Sequence, residues 1–188
     1  EKWREEQGYL GIYCDVSSEE AVKKAVRHTL SVFGRIDILV NNAAIHANKP
    51  LAELSPAEWR RVIDVNLTGP LLCTKYCETE LRNNKGCIVN LCSTRAFQSE
   101  ADTEAYSASK GGIFALTHAL AVSLGPDVRV NCVSPGWIDV SSVRKKSSAK
   151  QEVLKKEDHS QHPAGRVGEA GDIARMILFL CDRANSFI

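Results

Sequence analysis

Short apolar runs alternate along the chain with longer stretches in which apolar residues recur every three or four positions. The runs predict β-strands and the longer stretches predict amphipathic helices. The predicted strands are residues 9–14, 36–40, 87–92 and 128–133. The predicted helices are residues 17–33, 55–83, 105–124 and 172–181.

Local signals place the helix ends. Ser17-Ser18 before two first-turn glutamates is typical of a helix cap, and Gly34 follows the last apolar turn as a C-terminal cap. Ser55-Pro56 with Glu58 is typical of a helix start. A kink is expected near Gly69-Pro70, and the strand at 36–40 is expected to be buried on both faces.

Alternating strands and helices at this spacing predict an α/β fold with a parallel sheet covered by helices on both faces. The polar segment 139–168 carries little strand signal and is expected to be a loop, and the glycines at 165, 168 and 171 are interpreted as a loop before the last helix. In such folds ligands bind at the carboxyl ends of the strands.

Composition narrows the function classes. The 188 residues carry 24 Lys and Arg against 23 Asp and Glu, a net charge of +1, which predicts no binding to nucleic acid or to a membrane surface. With 44% hydrophobic residues, 1–188 is interpreted as a single domain. The seven cysteines lack metal-site spacing and are interpreted as reduced thiols, which predicts no metal and a cytoplasmic location.

Small and polar residues follow each predicted strand. Taken singly they are ordinary turn residues, but together they would form one continuous edge of the sheet. They are Asp15-Val16, Asn41-Asn42-Ala43-Ala44, Ser93-Thr94-Arg95 and Pro135-Gly136-Trp137-Ile138.

Tyr106 and Lys110 are four residues apart, so both lie on one face of the predicted helix. A nearby ammonium lowers the pKa of a phenol, which makes the pair a candidate general acid and base for an alcohol or a carbonyl. A solvated surface pair is the alternative. Ser93, at a strand end, is a second hydroxyl for the same substrate oxygen.

These motifs, in this order, resemble the classical short-chain dehydrogenase/reductase family from about residue 9 to residue 188. The resemblance rests on the following segments of the sequence: Asn41–Ala44 for N-N-A-G, Asn66, Ser93, Tyr106 and Lys110 for Y-x-x-x-K, Pro135–Ile138 for P-G-x-I, and Asp15-Val16 for D-V; 162–166 and 172–174 also fit. It implies a Rossmann-type doubly wound parallel sheet and hydride transfer between NAD or NADP and a secondary alcohol or ketone.

The resemblance also implies roles. Tyr106 would exchange the proton with the substrate, Lys110 would lower the pKa of Tyr106 and bind the nicotinamide ribose, Ser93 would orient the substrate oxygen, and Asn66 would position a water in a proton relay. The implied cofactor contacts are Asp15, Val16, Asn42, Ala43, Tyr106, Lys110, Pro135, Gly136 and Ile138. The implied substrate pocket holds His46, Ser93, Arg95 and Trp137.

Arg95 has two interpretations. It could bind a substrate carboxylate or phosphate, or it could pair with Glu100 or Glu104. The segment 139–168 would be the substrate loop and also has two interpretations. Its charged residues could be those of a solvated lid, or they could attract an anionic substrate. Its charged residues are Asp139, Arg144, Lys145, Lys146, Lys150, Glu152, Lys155, Lys156, Glu157 and Asp158.

The sequence departs from the family pattern in its glycine-rich phosphate turn, which is absent. The resemblance implies strand order 3-2-1-4-5-6-7, with the first two strands and the last one missing and the central fourth strand left as an exposed edge. A piece of a longer chain is the expectation, and a non-catalytic oligomerising or binding protein is the alternative. Val140 stands where the family often has Thr, with Ser141 as a substitute.

The resemblance further implies a homodimer or homotetramer. Copies of the chain would pack through the helices predicted at 55–83 and 105–124.

Overall fold

The computed structural model describes residues 8–143 and 154–188. Three parallel strands form the central sheet in the order β1-β2-β3. They are β1 (Ile38–Asn41), β2 (Cys87–Leu91) and β3 (Arg129–Val133). Ile38 pairs with Cys87, and Cys87 pairs with Arg129.

The described residues form six α-helices. They are α1 (Glu19–Phe33), α2 (Pro56–Ile63), α3 (Gly69–Asn83), α4 (Glu104–Leu124), α5 (Lys156–Ser160) and α6 (Ala170–Cys181). One core joins α3, α4 and the sheet around Leu81 and Ile88, with α1 packed against it. The second core joins α6 to the opposite face at Val89 and Leu91. Helices on both faces of a parallel sheet confirm the predicted Rossmann-type α/β fold.

The predicted helix ends are close to those observed. The Ser18 hydroxyl accepts from the Ala21 N–H at 3.4 Å, and Gly34 takes φ 72° after the last turn of α1. Ser55 and Glu58 form a reciprocal capping box at the start of α2. These signals are local, so the sequence could carry them.

A five-residue π-helical turn (Asp64–Thr68) joins α2 to α3 where a kink at Gly69-Pro70 was expected. The extra residue turns Val65 and Asn66 into the interior. Gly69 lies tight against Val16: a Cβ there would stand 2.8 Å from the Val16 side chain.

Two strand predictions are wrong in part. Residues 9–14 run without ladder pairing, and Tyr13 is 97% exposed. A strand needs a hydrogen-bonded neighbour, and the described residues place none beside this segment. In β1, Ile38 and Val40 are exposed while Leu39 packs on the core, because α6 covers β2 and β3 on that face instead.

The described ends of the segment 139–168 are more regular than predicted. β4 (Ile138–Asp139) pairs in parallel with β5 (Gly168–Glu169), so the glycine at 168 lies in a short strand and not in a loop. A Cβ there would stand 2.4 Å from the Ile138 side chain. Arg144, Lys145, Lys146, Lys150 and Glu152 lie outside the described residues.

Across residues 8–143 and 154–188, no helix combines the length and the apolarity needed to cross a membrane.

Two glycines test the packing. A Cβ at Gly86 would stand 2.4 Å from the backbone oxygen of Asp37, which cannot move without shifting the start of β1. Gly86→Ala is therefore expected to lower the free energy of unfolding by about 1–3 kcal/mol. Chemical denaturation of the intact protein measures it.

Gly111→Ala is the matched control, because nothing lies within 4 Å of its Cβ position in α4. We expect it to stabilise the protein by about 0.5–1 kcal/mol through helix propensity. Equal effects of the two substitutions would contradict the close approach at Gly86.

Candidate active site

A cavity of about 410 Å³ lies beyond the carboxyl ends of β2 and β3. The ends of the two strands supply its floor, α4 supplies two polar side chains, and α6 supplies apolar ones. Its lining is Asn42, Ala44, Leu91, Cys92, Ser93, Tyr106, Lys110, Pro135, Gly136, Ile138, Val140, Val143, Ala170, Ile173, Ala174 and Ile177. The structure thus brings three predicted catalytic residues into one cavity.

Ser93 lies two residues beyond the end of β2 and caps a short 3₁₀ turn (Thr94–Ala96). Its hydroxyl oxygen accepts from the Arg95 N–H at 3.1 Å. A hydrogen bond between the Ser93 and Tyr106 hydroxyls favours the ionised phenol. Ser93 is therefore fixed beside the phenol while keeping a hydroxyl at the cavity.

Tyr106 and Lys110 lie in the first turns of α4, on the same face, as the spacing predicted. The Lys110 ammonium stands 5.5 Å from the centre of the Tyr106 ring and donates to the Leu91 carbonyl oxygen at 2.6 Å. Lys110 is 4% exposed. This places a buried ammonium over the face of the Tyr106 ring.

Burial dominates the titration of both groups. It raises the pKa of Tyr106 above its ordinary value, and the Ser93 hydrogen bond and the Arg95 charge oppose it more weakly. Burial likewise lowers the pKa of Lys110. The lowering of the Tyr106 pKa by Lys110 stays a prediction, and burial is the largest influence on that pKa in the structure.

Asn66 joins the site from the π-helical turn. Its Oδ1 accepts from the Ile45 N–H at 2.8 Å, and its Nδ2 donates to the Ile45 carbonyl at 2.8 Å and to Ser109 Oγ at 3.0 Å. The Ser109 hydroxyl donates in turn to the Tyr106 carbonyl at 2.7 Å. The amide thus ties the loop after β1 to α4, which leaves the water-binding role a prediction.

The predicted cofactor residues divide into two groups. Asn42, Pro135, Gly136 and Ile138 line the cavity together with Tyr106 and Lys110, whereas Ala43 lies outside the lining and its neighbour Ala44 within it. The His162 ring lies close to Gly136: a Cβ at Gly136 would stand 3.3 Å from that ring.

Asp15 and Val16 lie away from this cavity. Asp15 accepts from the Ser17 hydroxyl at 2.7 Å and from Arg61 at 3.0 Å, which holds the pKa of its carboxyl at about 2. Val16 packs against Gly69. Both residues therefore have structural partners in addition to the adenine contact that was predicted.

Of the predicted substrate residues, Ser93 lines the cavity, whereas His46, Arg95 and Trp137 are not part of its lining. The His46 ring meets the Tyr106 ring edge-on, with 6.5 Å between the ring centres. Trp137 is 38% exposed. Arg95 forms an ion pair with Glu100, the second of its two interpretations.

Sequence reasoning missed Cys92, which lines the cavity and whose thiol donates to the Lys110 carbonyl at 3.2 Å. The Cys132 thiol, with smaller contributions from hydrogen bonds and from the Lys110 charge, lowers the pKa of Cys92 to about 6. The position of Cys92 before Ser93 was the one signal available. Ser109 was missed too, although it lies one turn beyond Tyr106.

Val140 lines the cavity where the family often has Thr. Ser141 is no free substitute, because its hydroxyl donates to the Asp139 carboxylate at 3.0 Å. Within the described ranges, no group of three or more His, Cys, Asp or Glu side chains is placed to hold a metal ion.

The raised pKa of Tyr106 can be tested by spectrophotometric titration of the cofactor-free protein. The titration of the wild type minus that of Tyr106→Phe isolates this phenol. We expect it to ionise above the ordinary value of about 10, because burial disfavours the phenolate. The groups facing it are Ser93, Cys92, Arg95 and Lys110. A difference curve with its midpoint below that of exposed tyrosines would contradict the burial argument.

The Asn66 amide can be tested by removal. Asn66→Ala leaves the backbone groups of Ile45 and the Ser109 hydroxyl without their partner, so we expect a loss of about 1–3 kcal/mol in the free energy of unfolding. Denaturant unfolding measures it. Asn83→Ala, an exposed residue at the end of α3, is the control and should change little; equal losses would argue against the amide bridge.

Comparison with known proteins identifies the family. A family model described as enoyl-(acyl carrier protein) reductase matches residues 1–188. An uncharacterized oxidoreductase of Thermotoga maritima is 54% identical over 170 residues, covering 89% of this chain and 66% of the relative. A cis-4-hydroxycyclohexanecarboxylate dehydrogenase of Sinomonas cyclohexanicum is 35% identical, covering 95% of this chain and 72% of the relative.

A solved structure, an apo SCOR enzyme from Clostridium thermocellum, superimposes with a TM-score of 0.87 at 44% identity, covering 98% of this chain and 71% of that one. The chain thus spans about two thirds to three quarters of the length of these proteins. Solved relatives of the same fold hold NAD+ or NADP. The chain belongs to the short-chain dehydrogenase/reductase family of oxidoreductases, whose members use NAD or NADP.

Proposed function

We propose that the protein transfers a hydride between NAD or NADP and a secondary alcohol or ketone, with Tyr106 as general acid and base. The observation that carries the proposal is the meeting of Tyr106, Ser93 and Lys110 in one cavity at the carboxyl ends of the strands. The relative from Sinomonas, named as a dehydrogenase of a hydroxycyclohexane, supports a secondary alcohol as the reacting group.

The cavity fits the nicotinamide end of such a cofactor. Ile173 and Ile177 offer an apolar surface for a flat ring, and Ser93 and Tyr106 offer polar groups for the substrate. Backbone at Pro135–Ile138 and the side chain of Asn42 would complete the contacts. When bound, the cofactor supplies the hydride donor or acceptor.

Tyr106 exchanges a proton with the substrate oxygen. Its hydroxyl donates to the substrate oxygen in reduction and accepts from it in oxidation, while the Ser93 hydroxyl holds the same oxygen. Burial keeps the proton on the phenol, which suits the acid role. Lys110, 5.5 Å from the ring, stabilises the phenolate when the proton leaves. Its contact with the nicotinamide ribose is part of the proposal.

Asn66 acts as a positioning residue. Its bonds to Ile45 and Ser109 hold Tyr106 through the backbone of α4. One lone pair of Oδ1 stays available for the water of a proton relay, as the family resemblance implies.

We also propose a homodimer or homotetramer in a reducing, cytoplasmic setting. Support for the first comes from exposed apolar side chains on the two long helical segments: Leu71 on α3 is 45% exposed, and Phe114 and Val122 on α4 are 49% and 71% exposed. Support for the second comes from the seven cysteines, all of them free thiols.

Tyr106→Phe tests the mechanism. It removes the hydroxyl that carries the proton, so we expect turnover of alcohol with NAD+ or NADP+ to fall roughly a hundredfold or more in the intact protein. Binding of the cofactor, measured by calorimetry, should persist. Tyr76→Phe is the matched control, since Tyr76 contacts Glu19 on the surface, and its turnover should equal that of the wild type.

Unchanged turnover in Tyr106→Phe would contradict the proposed mechanism. Cofactor binding without turnover of any alcohol or ketone by the wild type would favour the alternative, a non-catalytic binding protein on the same fold.

A further inference from the structure

Arg95 is a cation within electrostatic reach of the reacting group. It lies two residues after Ser93, and its backbone N–H donates to the Ser93 hydroxyl oxygen at 3.1 Å. The charge of its guanidinium favours the ionised phenol of Tyr106. Because the Arg95 backbone N–H lies 3.1 Å from the Ser93 hydroxyl oxygen, the long Arg95 side chain starts within reach of the other substituents of a substrate whose oxygen Ser93 holds.

The guanidinium is held by weak, local partners. It donates to the Gln98 carbonyl oxygen at 3.1 Å and forms an ion pair with Glu100. All three residues belong to the loop between β2 and α4. The Glu100 side chain is 59% exposed and that of Arg95 is 28% exposed. An ion pair at this exposure contributes little to stability, so a second carboxylate can compete for the cation.

We propose that Arg95 binds a carboxylate of the substrate, and that Glu100 is an internal counter-ion which this carboxylate replaces. The inference rests on the proposed oxidoreductase function and deepens it. The substrate class is then a secondary alcohol, or the matching ketone, that carries a carboxylate group. Arg95 is the specificity-determining residue.

The exchange of one carboxylate for the other is favourable for a simple reason. Arg95 is paired before and after binding, so no charge is left without a partner. Glu100 returns to water, which costs little because most of its side chain is already exposed. The planar guanidinium matches the two oxygens of a carboxylate.

A neutral substrate gains nothing from this arrangement. It leaves Arg95 paired with Glu100 and makes no charge-assisted contact with the guanidinium. The chain thus discriminates by charge at a point outside the cavity where hydride transfer is proposed.

The test measures binding of two matched probes, cyclohexanecarboxylate and the neutral cyclohexanecarboxamide, to the intact protein by calorimetry. Arg95→Gln is expected to weaken binding of the carboxylate by roughly tenfold or more, since a charge-assisted contact is lost. Glu100→Gln is expected to strengthen it by about two- to fivefold, since a competitor is removed. Binding of the carboxamide should stay the same in both variants.

Glu78→Gln is the matched control. Glu78 pairs with Arg82 at 2.9 Å on the surface of α3, at comparable exposure and away from the loop after β2. Removing this carboxylate changes the net charge by the same amount, so any general effect of charge on binding appears here. We expect no change for either probe.

Three results would overturn the inference: no carboxylate binding by the wild type, equal binding of carboxylate and carboxamide, or unchanged or weaker carboxylate binding by Glu100→Gln. The readout needs no turnover. An active enzyme that ignores the charge of the probe refutes the role of Arg95 alone, whereas charge-selective binding without NAD(P)-dependent turnover refutes the proposed function.

Discussion

The buried amide of Asn66 is the interaction on which the geometry of the site depends. At 1% exposure it bonds both backbone groups of Ile45 and the hydroxyl of Ser109, which in turn holds the Tyr106 carbonyl. Leaving such groups unpaired inside the protein is costly, so the loop after β1 and the first turns of α4 are fixed relative to one another. The π-helical turn makes this possible, because its extra residue points Asn66 inward.

On the other side of the cavity, the same residues form part of the core and line the candidate site. Ile173 and Ile177 of α6 pack on Val89 and Leu91 of β2 and also line the cavity. The Leu91 carbonyl oxygen accepts a hydrogen bond from the Lys110 ammonium at 2.6 Å. The free energy gained by burying α6 on the sheet therefore also sets the shape and dryness of the place where Lys110 is held.

The sequence could predict the features that depend on neighbouring residues or on the order and spacing of motifs. The ends of α1 and α2 followed from capping residues within one turn, and Tyr106, Lys110 and Ser93 followed from spacing and family resemblance. The failures are long-range. Whether residues 9–14 pair, and which face of β1 is covered, depends on elements far away in the chain. The choice of Glu100 as partner for Arg95 depends on the path of a loop, which no periodicity encodes.

Burial is the largest influence on the pKa of both Tyr106 and Lys110. It raises the pKa of Tyr106 and lowers that of Lys110, so the charge at the phenol is set by further groups. The Ser93 hydroxyl and, more weakly, the Arg95 charge favour the phenolate, and Cys92 opposes it. A substrate carboxylate that takes the place of Glu100 leaves Arg95 paired as before. Recognition of the substrate by this cation is therefore compatible with an undisturbed proton at Tyr106.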